Sequence, residues 1–172
     1  PSWKKQEAYL PHSPHIFSTT LRNNLTFYQP DATEEEIIEA LDMVGLTSLV
    51  AELPEGLDTF VGEGGRSLSG GQSQRVALAR AVLHRTCRVL VFDEPTAHLD
   101  IETEWELKQR MLPLMEGKLV FFATHRLHWL SEMDEILLLE NGQVEGFGSF
   151  DSLSEADSFS YLANPRKEGG DE

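Results

Sequence analysis

The sequence predicts an α/β fold built on a parallel sheet, and three observations carry that reading. Two short runs, "RVLVFDE" and "KLVFFAT", are apolar almost throughout, the pattern of strands buried on both faces of a parallel sheet. Helical patterns alternate with them, as layered α/β domains require. Of the 172 residues 40% are hydrophobic and 25% charged, the composition of a globular chain long enough for one domain or a large piece of one.

Taken in order, residues 7–10 (EAYL) read as a short strand that Pro11 ends, and "STTLRNNLTF" suggests a short helix. "DATEEEIIEALDMVG" is a punctuated helix. Thr33 and Glu36 have capping-box spacing, acids fill the first turn, and Gly45 stops it. Residues 53–68 read as loop, with Pro54 and four glycines. A helix of about 15 residues follows, with Val76, Leu78, Ala79, Val82 and Leu83 at its apolar positions. After the first buried strand comes a helix from Glu102 to Leu112, and then the second strand. "EILLLENGQVEGFG" is a hairpin signal, with Asn141-Gly142 favouring a type I′ turn. Short helices are expected near Ser149–Ala156 and near Phe159, and "NPRKEGGDE" has the composition of a disordered tail.

Several function classes lose ground at once. No run approaches the roughly 18 apolar residues that span a bilayer, and no signal-peptide pattern is present. With 14 basic against 29 acidic residues the net charge is −15. That balance argues against a nucleic-acid groove, which needs clustered Lys and Arg. The lone Cys87 has no partner for an internal disulfide, so a reducing compartment fits, and its place before an apolar run suits a small buried residue.

Chemistry concentrates in three stretches. "RSLSGGQSQRVALARAVL" begins a helix with Gly70-Gly71, although each Gly costs about 1 kcal/mol against Ala within a helix. A helix start offers unpaired N–H groups and partial positive charge, and a missing Cβ lets a phosphate approach. Ser69 adds a hydroxyl, as N-cap or as phosphate ligand. "VLVFDE" ends a strand with Asp93 and Glu94, where ligands of parallel sheets sit. One carboxylate there can hold Mg²⁺ and its neighbour can deprotonate a water. The second strand leads to His125.

The order of "LSGGQ", strand-DE, a short connecting loop and strand-TH resembles the nucleotide-binding domain of ABC transporters over nearly all of residues 7–155. The resemblance implies a P-loop NTPase-like parallel sheet with a helical signature subdomain, here incomplete. It identifies Leu68–Gln72 as the signature motif and Val89–Asp93 as the Walker B strand. Ala97-His98-Leu99-Asp100 takes the D-loop position. Glu94 and His125 take the catalytic positions, Ser69, Gly70, Gly71, Gln72, His12 and Asp100 the nucleotide contacts, and Asp93 the Mg²⁺, directly or through water. "TFVGEGG" and "LPHSPHIFSTTLRNNL" resemble the exporter-type coupling loop, centred on Glu63, and the exporter Q-loop. "FFATHRLHWL" resembles subunits of heterodimeric cysteine/glutathione exporters linked to cytochrome bd assembly.

The implied division is a partial ATPase domain over 1–155, followed by a helical segment and tail over 149–172. Within the first, 1–17 hold the Q-loop region, 18–84 the helical subdomain, and 85–148 the Walker B, D-loop, switch and hairpin. The implied cofactors are ATP and Mg²⁺. The implied partners are a second ABC ATPase domain and a transmembrane domain, at the cytoplasmic face of the cell membrane.

Three departures stand against the family pattern. His12 replaces the Q-loop Gln, which either weakens the contact to a hard Mg²⁺ ion or is a harmless variation. Ala97 replaces a frequent D-loop Ser. No G-x-x-x-x-G-K-[ST] occurs anywhere, so the phosphate-cradling P-loop is not in this stretch. The chain therefore reads as a C-terminal piece of such a domain, expected to fold poorly and to be inactive alone, with an apolar sheet face and an edge strand left open. Two other classes stay in view. ABC-type ATPases of DNA repair or chromosome structure insert long coiled coils before the signature, for which the stretch from His12 to Leu68 is too short. A non-catalytic interaction fragment is permitted by the missing P-loop.

Overall fold

A computed structural model describes residues 6–154, and its first element is β1 (Glu7–Leu10), which Pro11 ends because proline has no N–H for the ladder. β2 (Thr19–Thr20) leads directly into α1 (Leu21–Leu25), where the Thr20 side chain accepts from the Asn23 N–H. α2 (Glu34–Met43) starts with the expected capping box. Glu36 N–H donates to Thr33 Oγ1 at 3.3 Å, and Thr33 N–H to Glu36 Oε2 at 2.8 Å. α3 (Thr47–Glu52) carries no side-chain cap, so nothing in the sequence marks its start. Residues expected as loop contain a 3-10 turn, Gly56–Asp58, and β3 (Phe60–Val61), which pairs antiparallel with β2. Two-residue strands are too short to show a period.

α4 (Gly70–Leu83), β4 (Val89–Asp93), α5 (Ile101–Met115) and β5 (Leu119–Ala123) follow as expected, although α5 continues through Pro113 to Met115. The main sheet is parallel in the order β1-β4-β5, with Leu10 opposite Phe92 and Asp93 opposite Ala123. Its two registers bring the C-terminal ends of β4 and β5 level, and with them the Asp93-Glu94 pair. α4 packs against β1, α1 and α2.

One expectation is corrected. β4 and β5 are not buried on both faces. Ala8, Leu10, Leu90 and Phe92 are buried, whereas Tyr9, Leu119 and Phe121, which alternate with the inward positions, are 50%, 57% and 56% exposed. Among the described residues β5 pairs with β4 alone.

The chain divides into two units after Ala123. In the second, a 3-10 helix at Leu127–Glu132 carries the fully buried Trp129. β6 (Ile136–Glu140) and β7 (Gln143–Gly148) form the expected hairpin. Asn141 and Gly142 have φ of 49° and 77°, the positive pair that a type I′ turn requires. α6 (Phe150–Ser154) closes a small core in which Leu130, Met133 and Phe150 pack on Ile136 and Leu153. The expected helix near Phe159 and the tail lie outside the described residues. No described helix is long and apolar enough to cross a membrane.

Candidate functional site

The start of α4 is built by a reciprocal cap. Gln72 N–H donates to Ser69 Oγ at 3.2 Å, and Ser69 N–H donates to Gln72 Oε1 at 2.9 Å. The serine hydroxyl thus acts as N-cap, the first of the two roles open to it. The glycines have a reason that sequence reasoning missed. A Cβ at Gly71 would lie 3.1 Å from the His98 carbonyl oxygen and 3.2 Å from Leu99 Cδ2, and one at Gly70 would lie 3.3 Å from the His98 ring. The loop after β4 leans directly on the helix start, and a Cβ at these positions would require its neighbours to give by a few tenths of an ångström.

That loop begins in strained backbone. Glu94, the residue after β4, has φ of +47°, a conformation that costs a residue with a Cβ about 1–3 kcal/mol. It is held by its N–H donating to Ala123 O at 2.9 Å and by its carbonyl accepting from Ala97 N–H at 3.1 Å and Gln74 Nε2 at 3.1 Å. Further along, the buried Thr96 hydroxyl donates to the buried Glu104 Oε1 of α5 at 2.5 Å. Asp100 caps α5 by accepting from Thr103 N–H at 2.9 Å and from its hydroxyl at 2.7 Å. The backbone N–H of Thr103, then its hydroxyl, hold the Asp100 carboxyl below its ordinary range.

His12, two residues beyond β1, reaches this edge. Its Nδ1 lies 3.6 Å from Glu94 Oε2, with both side chains partly exposed, and its ring centroid is 5.4 Å from that of His98. The imidazole therefore faces the Glu94 carboxylate. Asp93 is partly buried at the end of β4. Among the described residues no group of three or more His, Cys, Asp or Glu is placed to hold a metal ion.

The structure thus brings together His12, Glu94, the Ser69–Gln72 turn and the 97–100 loop, with Asp93 beside Glu94. Glu63 stands apart, exposed on the turn between β3 and α4, where Arg66 N–H donates to Phe60 O at 3.0 Å. His125 lies two residues past β5, exposed, in the second unit. Two residues were missed in the sequence, Gln74 and Arg80. Both are buried polar side chains of α4, and an amphipathic pattern marks apolar positions, not the buried polar ones.

The arrangement can be set beside known proteins. The family model for ABC transporters matches residues 1–97, more than half of the chain. The chain belongs to the ABC transporter family. Over 90% of its length it is 56% identical to the glutathione/L-cysteine transport system ATP-binding/permease protein CydC of Bacillus subtilis, covering 27% of that protein. It is 43% identical over 80% of its length to the Escherichia coli protein of that name, covering 23% of it. A bacterial Atm1-family ABC exporter with ATP bound matches 98% of the chain at TM-score 0.83 and 29% identity, with 30% of that chain covered. This ABC transporter sequence spans about a quarter of the length of the curated relatives it matches.

Proposed function

We propose that the chain forms the signature-bearing part of an ATP-hydrolysing domain of an ABC exporter, with ATP and Mg²⁺ as its cofactors. The observation that carries this is the packing of Gly70 and Gly71 against His98. Through it the capped start of α4 and the carboxylates at the end of β4 become one continuous edge. Asp93 would hold the metal, directly or through water, and Mg²⁺ bound there would neutralise phosphate charge. Glu94 accepts the proton of the attacking water, and His125 takes the switch role that the family resemblance gives it. The N–H groups at the start of α4, with Ser69 and Gln72, face the γ-phosphate of a nucleotide held by a second ABC ATPase domain.

In this reading the phosphate cradle lies in a segment preceding this stretch of the parent protein. Glu63, exposed on its turn, meets a transmembrane domain, and the assembly works at the cytoplasmic face of the membrane. The likeness to two proteins named for glutathione and cysteine transport favours a small thiol as cargo.

The direct test is Glu94→Gln in the full-length parent. General-base catalysis contributes about 10²–10⁴ in rate. The variant is expected to bind nucleotide like wild type and to lose hydrolysis by about that factor. Turnover within a few-fold of wild type would remove Glu94 from the role of base.

A further inference from the structure

We propose that Gln74 is a positioning residue for hydrolysis, and that its carboxamide sets the backbone of Glu94 and of the 97–100 loop against α4. The inference rests on the reading of Glu94 as general base. Gln74 is 1% exposed. Its Nε2 donates to Glu94 O at 3.1 Å, and its Oε1 accepts from His98 N–H at 3.2 Å. One side chain thus joins the helix to points 20 and 24 residues further along the chain.

The chemistry at this position is selective. A carboxamide presents a donor and an acceptor at one end, and both are used here. A carboxylate offers only acceptors, and a thioether of similar size satisfies neither partner. The backbone at Glu94 makes the demand acute. A residue with a Cβ at φ +47° stays there only where its surroundings over-determine it. Of the contacts that hold the Glu94 peptide, those from Ala123 and Ala97 are backbone groups. The one from Gln74 is a side chain on α4.

Removing that side chain frees the Glu94 peptide to relax and the 97–100 loop to slide along Gly70 and Gly71. A misplacement of about 1 Å at a reacting group can cost about 10²-fold in rate. Gln74 also joins two roles that belong to different nucleotides. The helix start serves the nucleotide of the second domain, and Glu94 serves its own.

The experiment is a double-mutant cycle in the full-length parent, with single-turnover hydrolysis and nucleotide affinity measured for each protein. Gln74→Met keeps the volume and loses both hydrogen bonds. It is expected to lower the hydrolysis rate about tenfold or more, with nucleotide affinity within about twofold of wild type. In a Glu94→Gln background the same change is expected to cost almost nothing further, because no base remains to be misplaced. Gln74→Asn, one methylene too short to span both partners, is the second variant and is expected to show the same pattern. Val76→Ala, a buried truncation on the same helix, is expected to lower the melting temperature and leave the rate alone.

A folded Gln74→Met or Gln74→Asn protein with near-normal turnover overturns the proposal while Glu94→Gln remains inactive. An equal loss in both backgrounds also overturns it, since Gln74 would then act independently of Glu94. Should Glu94→Gln itself retain turnover, the base assignment fails and the role of Gln74 fails with it. That result is recognised from the single Glu94→Gln variant alone.

Discussion

His84 shows how one buried side chain sets a pH dependence. It ends α4, is 8% exposed, and stacks on Tyr28 with ring centroids 5.0 Å apart. Burial pushes its imidazole below the ordinary value of 6.5. The unfolded chain therefore takes up a proton on His84 at a higher pH than the folded chain does. The contribution to stability is full above about pH 6.5 and falls as the pH drops toward the lowered folded value. His84→Phe keeps an aromatic ring on Tyr28 and removes the proton. Denaturant unfolding at pH 7.5 and 5.5 should show a smaller loss of stability in the variant than in wild type. Equal losses would mean that His84 is not buried in this way. At the same scale, Cys87 is buried and free, as its place before an apolar run suggested. Burial pushes its thiol pKa up, away from reactive thiolate.

At the scale of elements, α4 is the organiser. Buried Arg80 donates to Asn24 O at 2.7 Å, Asn24 Oδ1 at 2.6 Å and His15 O at 2.8 Å, and its guanidinium lies 5.1 Å from the Phe17 ring centroid. It joins the helix to α1 and to the segment after β1. Burial pushes its pKa down to about 10, which leaves it charged at neutral pH. Arg80→Met keeps much of the apolar stem but takes the guanidinium donor from the buried Asn24 carbonyl, while Asn24 Oδ1 keeps the Phe17 N–H at 2.9 Å. At about 1–3 kcal/mol for each buried polar group left unsatisfied, the variant should unfold at clearly lower denaturant. A midpoint equal to wild type would show that these bonds contribute nothing net.

What the sequence made legible follows the range of the forces involved. The Thr33 box, the Asn141-Gly142 turn and the strands β4 and β5 rest on local chemistry and were readable. The same Ser-x-x-Gln spacing that closes the Ser69 box was open to the same reading. α3 has no cap, and β2 and β3 are too short to show a period. Gln74, Arg80 and the contact of Gly71 with His98 depend on partners at least 20 residues away, which no local pattern reports. The open face of β4 and β5 was expected from the missing P-loop, but not from the strands' own pattern. Apolarity on both sides of a strand shows which faces can be buried, not what lies on them.

At the scale of the whole molecule, the proposed reading makes this chain one edge of a site that is completed elsewhere. β5 has a free outer edge among the described residues, and Tyr9, Leu119 and Phe121 are half exposed or more. Such surface is an association hazard when left open. The α4 start and the Glu94 carboxylate lie on this chain, and in the proposed reading they serve two different nucleotides. Gly71 is where the two functions separate most cleanly. Gly71→Ala introduces only the Cβ contacts with the His98 carbonyl and Leu99, whereas Gly71→Asp adds a carboxylate that in the proposed reading faces an incoming phosphate. The deciding measurement pairs a full-length Gly71→Asp subunit with a wild-type partner and follows nucleotide occupancy and turnover at each site separately, with Gly71→Ala as the steric control. The account predicts that the mutant's own phosphate cradle keeps its nucleotide while the partner's site fails to close and to turn over. Loss of nucleotide from the mutant's own site, with the partner's site intact, would contradict it.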